Sequence, residues 1–335
     1  MKKTVLCITL ILIMLLSGCI PHIEIPSPTP SPSPTPECDP YYAMLHTDTR
    51  PIAVMIDNDD DNARPQIGLE DAYLVYEIVV EGGATRYMAL FKEHNAENIG
   101  PVRSSRHYFL DYAMENDAIY THAGWSPRAM NDISSLGINN INGINGADGK
   151  NFWRDYTYDK TWHTLYTSLP KLWEYGTETK KYESTTDKRV FEYNLMETEP
   201  SETAESGLKL TIPYAGFYTV GFEYDSESKV YKRFYNGKDY LSQTGEVLTA
   251  KNIVVYTLDN YNLNDGDGKG RQDLVNIGEG EGYYLTNGKA TKIKWSTDSR
   301  ENPTKYTLED GSELLLNPGN TYVQIVPTHR GYTIE

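Results

Sequence analysis

Cysteine is scarce in this chain: 3 among 335 residues. With so few, and no CxxC pair or Cys/His set among them, neither a disulfide framework nor a structural zinc site can be built. Stability must therefore come from ordinary core burial. Basic charge is also short, 31 Lys+Arg against 47 Asp+Glu, for a formal net charge of -16. An acidic surface works against phosphate binding, so nucleic acid is not expected as a partner. Phenylalanine and tryptophan are few, 7 and 5, beside 27 tyrosines. An aromatic ring with a polar tip suits half-wet surfaces such as interfaces and sugar-binding grooves, and it equally suits the faces of β-sheets.

The first residues carry an address. Met1-Lys2-Lys3 is a short positive start, and the apolar run Val5 to Leu16 has signal-peptide length, too short for a comfortable membrane span. It ends in Leu16-Ser17-Gly18-Cys19, which resembles the bacterial lipoprotein signal, in which the Cys thiol takes a diacylglyceryl group before cleavage on its amino side. Two acyl chains, at about 0.8 kcal/mol per buried methylene, anchor stably where one would not. Ile25 to Pro36 alternates Pro with Ser or Thr, which favours extended polyproline II and cannot build a core. At about 3.1 Å per residue the segment from Cys19 to Pro36 reaches roughly 50 Å. Removal of residues 1–18 deletes Lys2 and Lys3 and no acid, so the net charge moves from -16 to -18. The expected location is the outer face of the cytoplasmic membrane, with Cys38 a solvated thiol beside the stalk.

The body changes texture partway. From Arg50 to about Lys188, apolar runs (Ile52 to Ile56, Ala72 to Val80, Tyr87 to Phe91, Ala118 to Tyr120) alternate with helix-like segments at Arg103 to Met114 and after Ser126. That rhythm predicts an α/β layered domain. Asn139 to Gly146, dense in turn formers, reads as an exposed loop. After Arg189, short stretches rich in β-branched and aromatic residues predict a mostly antiparallel β domain, with Asn287-Gly288 its strongest hairpin signal. The predicted organisation is a signal peptide over 1–18, anchor and stalk over 19–48, an α/β domain over 49–188 and a mostly β domain over 189–335, α+β overall.

The chemistry is less explicit. Asp57, Asp59 and Asp61 have the opening spacing of a calcium loop, but Asn62 stands where Gly belongs and Gly68 where Glu belongs, so no metal is expected. Asp265-Gly266-Asp267-Gly268-Lys269 likewise puts a cation at the third ligand position. No cofactor motif is complete. Pro101 suggests a helix start, which would set Arg103 and Arg106 on one face of a first turn beside free backbone N–H groups. Either an anionic ligand or an internal salt-bridge network with Glu77, Glu81 and Asp57 would neutralise them. Glu81-Gly82-Gly83-Ala84-Thr85-Arg86 adds another arginine beside two glycines. In His122-Ala123-Gly124-Trp125-Ser126-Pro127, Ser126 reads as a helix N-cap rather than a nucleophile paired with His122. His163 and Arg154 are pocket candidates with nothing to fix their geometry.

The strings IAVMIDN, ARPQIGLEDAYLVYE, VEGGATRYMALF, NIGPVRSSRHYFLDYA and HAGWSP, then GEGEGYYLTNGKATKIKW and LNPGNTYVQIVP, resemble the YerB-type family of bacterial lipoproteins over nearly all of Arg50 to Pro327. The family, typical of Gram-positive bacteria, comprises two domains of unknown function. The resemblance implies a lipid-anchored surface protein with no established reaction. Its polar motif positions fall on Asp57, Asn58, Arg64, Gln66, Glu77, Glu81, Arg86, Arg103, Ser104, Arg106 and His122. Around His163 the family shows Pro-His-Asn, and this chain departs from it with Trp162 and Thr164.

The leading expectation is a non-catalytic binding protein, anchored through Cys19. Its anionic ligand or envelope-protein partner would be bound among Asp57, Asn58, Arg64, Gln66, Arg86, Arg103, Ser104 and Arg106. A cell-wall polymer or wall-synthesis protein is the partner its location suggests. One alternative is a hydrolase or transferase acting on wall polymers, with Glu77 or Glu81 as acid/base and His122 assisting. The other is a structural or assembly partner, in which the Arg and Glu groups pair with one another.

Overall fold

The computed structural model describes residues 38–266 and 268–335. The signal peptide, Cys19 and the Pro-rich stalk lie outside the described residues. No helix among those described is long and apolar enough to cross a membrane.

The chain folds as α+β around one large mixed sheet. In the N-terminal part its strands are β1 (Ile52–Asn58), β2 (Leu74–Val79), β3 (Thr85–Phe91), β4 (Ile119–His122) and β5 (Asn140–Asn142). β3 runs antiparallel between β1 and β2, while β4 and β5 continue parallel beyond β1. On the far side of β2 lies the strand Thr321–Pro327, parallel both to β2 and to Asn252–Leu258. The sheet then ends in the antiparallel strands Gly278–Thr286, Lys289–Thr297 and Lys305–Leu308. Strands β1, β2, β3 and Thr321–Pro327 are buried along their whole length, which is why they read as continuous apolar runs rather than alternating ones.

Each face of the sheet has its own core. One packs on a smaller antiparallel sheet built on Lys209–Ala215, Tyr218–Asp225 and Val230–Tyr235, through Val54, Ile56, Val75, Tyr87 and Ala89 against Ile212, Val220 and Phe222. The other packs on α2 (Phe109–Glu115), through Ala53, Met55, Tyr76, Met88 and Leu90 against Phe109, Leu110 and Tyr112. α3 (Pro127–Ser135) starts as expected, with Ser126 Oγ accepting from Ala129 N at 3.2 Å.

Three readings change. The segment from Arg103 is not helical until Phe109, because its backbone is spent on extended pairing: Val102 N donates to Leu165 O, Arg103 N to Met55 O, and Ser105 N to Gly124 O. Asn139 to Gly146 is not all loop, since Ile141 is buried and Asn140–Asn142 forms β5. Residues 40–48, assigned above to the stalk, include α1 (Pro40–Leu45), which is tied to the body by Asp39 N donating to Leu195 O and by burial of Leu45.

Candidate functional site

The carboxyl ends of β1, β2, β4 and β5 and the amino end of β3 lie along one sheet edge, where α/β folds gather ligand groups. Strand alternation then divides the candidate residues between two faces. Asp57 and Arg86, opposite each other on β1 and β3, point the way of Met55 and Met88. Asn58 and Glu77 point the way of Ile56 and Val75, toward the small sheet.

The face toward the small sheet is a buried network, in which Arg233 Nε and Nη1 and Arg64 Nε have no hydrogen-bond partner. Glu77 is fully buried and pairs with Arg233 Nη2 at 2.8 Å, while Thr85 and Tyr218 hydroxyls each donate to its Oε1 at 2.8 Å. Asn58 donates to the Thr85 hydroxyl at 2.7 Å and accepts from Arg64 at 2.6 Å and from Tyr240 at 2.9 Å. Gln66 donates to Asp57 O and accepts from Tyr240. Arg64 stacks over Tyr235, 4.7 Å from the ring centroid, and pairs with Asp61. Glu77, Asn58, Arg64 and Gln66 thus join the two sheets. Arg233, Tyr218 and Tyr240 are essential members that no local motif announces, since each lies more than 140 residues from its N-terminal partners.

The other face gathers cations. Arg103 Nε stands 2.7 Å from Asp57 Oδ2, and its Nη2 lies 3.7 Å from exposed Asp59. Arg106 holds Glu81 through two nitrogens, at 2.5 and 2.8 Å. Between them Arg86, only 5% exposed, donates to Ser104 O at 2.7 Å and forms no ion pair within 4.0 Å among the described residues; its Nε has no partner. Burial lowers the Arg86 guanidinium to about 10, and neighbouring Arg106 adds to the fall. Asp57 Oδ1 is buried without a partner as well. Ser104 Oγ donates to Ala123 O at 2.9 Å.

His163 completes this cluster. Its Nδ1 lies 2.7 Å from Asp57 Oδ2 and its Nε2 3.4 Å from exposed Asp60, and the Asp57 hydrogen bond raises its pKa. Burial alone would raise the Asp57 carboxyl, but the His163 bond and then Arg103 and Arg86 outweigh it and hold it low. Glu81 follows the same pattern, with Arg106 outweighing burial. Asp57 is therefore turned inward, and the 1, 3, 5 acidic spacing does not converge. His163 stands 106 residues from Asp57, so sequence could nominate it but not place it.

His122 belongs to neither set. It is buried beside Gly124 O, 2.7 Å from Nδ1, and Asn140 Oδ1, 3.3 Å from Nε2, and burial lowers its pKa. Glu77, Glu81 and His122 therefore do not assemble as acid, base and assistant, because their partners lie in three separate places.

Comparison with known proteins agrees with this architecture. The models described as "Protein of unknown function (DUF3048) N-terminal domain" and "Protein of unknown function (DUF3048) C-terminal domain" match residues 42–183 and 210–323. The chain is 31% identical over 286 residues to the Bacillus subtilis protein named "Putative lipoprotein YerB", covering 84% of this chain and 82% of the relative. It is similar to the crystal structure of YerB from Bacillus subtilis, with a TM-score of 0.74 at 29% identity, covering 86% of this chain and 94% of that one. With both domain models matched in order and a relative spanning most of its length, this chain belongs to the DUF3048 family.

Proposed function

We propose that this chain is a lipid-anchored, extracytoplasmic binding protein of the cell envelope that receives an anionic group at the sheet edge formed by Arg86, Arg103 and Arg106. Its N-terminal lipoprotein signal and the relative's name support the location. A single observation carries the site: three guanidiniums meet two carboxylates, buried Asp57 and half-buried Glu81, and Arg86 feels the field of both but lies within ion-pair distance of neither. A buried polar group left without a partner costs about 1–3 kcal/mol, more when charged, so an anion that engaged Arg86 and Arg103 would be held strongly. Asp59 and Asp60 are exposed and sit at looser distances, 3.7 Å from Arg103 and 3.4 Å from His163. They act as displaceable stand-ins for the ligand. A wall polymer carrying acidic groups, or an acidic segment of a wall-synthesis protein, has the required chemistry.

The purely structural reading accounts for Arg106 with Glu81, for the Arg64 network and for the Arg86 bond to Ser104 O, but leaves Arg86 without an ion pair of its own. The two readings predict opposite effects at the stand-in carboxylates. Residues 38–335, which form one compact unit, should bind phosphate-bearing wall fragments in calorimetry. Arg103→Ala should weaken that binding about tenfold or more, the loss of one charge-assisted contact. Asp59→Asn/Asp60→Asn should strengthen it. Equal binding by all three forms would remove the site.

A further inference from the structure

Cys38 is the one cysteine among the described residues, so no disulfide braces the folded body. Another pair of side chains stands where a cross-link could form. Lys251, the residue before strand Asn252–Leu258, is only 8% exposed, and its Nζ donates to Asn287 Oδ1 at 2.7 Å and to Glu197 Oε1 at 2.9 Å. Asn287 Nδ2 donates to the same Glu197 Oε1 at 2.9 Å and to Glu199 Oε2 at 3.3 Å. The Asn287 amide is thereby held in one orientation, its oxygen toward an ammonium and its nitrogen toward two carboxylates. Its carbon is one C=O bond of about 1.23 Å from Oδ1, which puts it within about 4 Å of Lys251 Nζ.

A lysine, an amide and a carboxylate in mutual contact form an ordinary polar network, but they are also a nucleophile, an electrophile and a proton carrier. The lysine stem has little freedom. Gly319, at φ +141, leaves open the space its own Cβ would take, 2.4 Å from Lys251 Cβ and 2.5 Å from Cγ. Burial would raise the Glu197 carboxyl, but the bonds from Lys251 and Asn287 outweigh it and hold it low, so the carboxylate is ionised and able to accept a proton. The rival nucleophile in an Asn-Gly turn is the next backbone nitrogen, and Gly288 N instead donates to the Tyr231 hydroxyl at 3.1 Å. We propose that Lys251 and Asn287 join in an intramolecular amide bond, with Glu197 as the proton carrier. Glu197 takes one proton from the Lys251 ammonium, and Nζ adds to Asn287 Cγ. Nζ then gives up a second proton, which passes to Nδ2 as the Cγ–Nδ2 bond breaks. Ammonia leaves and takes the first proton with it as ammonium, so Glu197 ends ionised as it began and the step balances without a co-reactant. Holding the groups in contact supplies the proximity that the uncatalysed reaction lacks. The bond ties the start of Asn252–Leu258 to the turn between Gly278–Thr286 and Lys289–Thr297, and it restricts the unfolded chain as a disulfide does.

Residues 38–335, purified and incubated at mildly alkaline pH, would be measured by intact-protein mass spectrometry and, after trypsin digestion, by tandem mass spectrometry. The protein should be lighter than its sequence by the mass of one ammonia, and one branched peptide should join Lys251 to Asn287. Lys251→Arg, which keeps the charge, and Glu197→Gln should both retain the full sequence mass, with circular dichroism confirming that each variant folds. A wild-type chain at its full sequence mass after prolonged incubation would overturn the proposal. Loss of ammonia that persists in Lys251→Arg would overturn it as well, because it would mark closure of Asn287 on Gly288 N instead. A branched peptide that still forms in Glu197→Gln would overturn the assignment of Glu197 as proton carrier.

Discussion

At the scale of single residues, the deciding feature is that buried charge is handled in two ways. Arg233 is fully buried against Glu77, with Tyr87 and Tyr218 accepting from the same nitrogen at 2.8 and 3.2 Å. Arg233→Met should therefore destabilise the fold by about 3–5 kcal/mol, mostly by leaving Glu77 buried and unpaired. Arg233→Met/Glu77→Gln should recover much of that loss in urea unfolding. A double variant as unstable as the single one would place the contribution in the packing of Arg233 over its aromatic rings instead. His163 is handled differently, since one ring nitrogen faces a buried carboxylate and the other an exposed one. Its raised pKa means that protonation favours the folded state, so its contribution is fully present below about pH 6.5 and fades as pH rises through the raised value. The lowered Asp57 contributes above about pH 4 and loses its effect as pH falls through its folded value. The stability gap between wild type and His163→Gln should accordingly be wider near pH 5.5 than near pH 9. A gap independent of pH would mean that the ring packs there without ionising. Neither pairing was legible in the sequence, because Glu77 with Arg233 and Asp57 with His163 are joined only by the folded topology.

Secondary-structure elements with their own local signal were read well from the sequence; those defined by a distant partner were not. The buried strands β1, β2 and β3 announce themselves as apolar runs, and Asn287-Gly288 makes the predicted hairpin with φ of +49 and +71. By contrast Val102 to Ser105 is held extended by Leu165, Met55 and Gly124, and β5 is too short and polar to be seen without β4 beside it. The division of Asp57 and Arg86 from Asn58 and Glu77 was available in principle, since alternation alone sends them to opposite faces once the strands are fixed. The hairpin turn also has a tertiary constraint. A Cβ on Gly288 would lie 2.7 Å from the Tyr224 ring and 3.1 Å from Leu208, in addition to the unfavourable positive φ. Gly288→Ala should thus cost more than the roughly 1 kcal/mol expected of backbone conformation alone, whereas Gly137→Ala, at φ +64 with nothing within 4 Å, should cost about that amount. Comparable losses at the two positions would show that the turn yields without disturbing the small sheet.

For the whole molecule, the change of texture near residue 189 and the two matched domain models invite the picture of two separable domains, but the hydrogen bonding connects them. Strand Thr321–Pro327, near the end of the chain, pairs with β2 over five residues from Leu74 to Ile78, and Arg233 reaches the buried Glu77 in the same strand. Cutting the chain after residue 188 would remove that partner strand and the small sheet together. It would leave β2, buried along its whole length in the intact protein, as a bare apolar edge, and such edges pair with other chains. Residues 38–188 expressed alone should therefore aggregate or remain unfolded, and residues 38–335 should unfold in one transition detected alike by far-ultraviolet circular dichroism and by tryptophan fluorescence. Trp125 and Trp173 lie in the first half and Trp295 in the second, so fluorescence samples both. A soluble, cooperatively folded fragment, or two resolved transitions in the intact unit, would mean that the shared sheet is a docking interface between independent domains. The proposed anion site, all of whose arginines come from the first half, would then be expected to survive in the fragment alone.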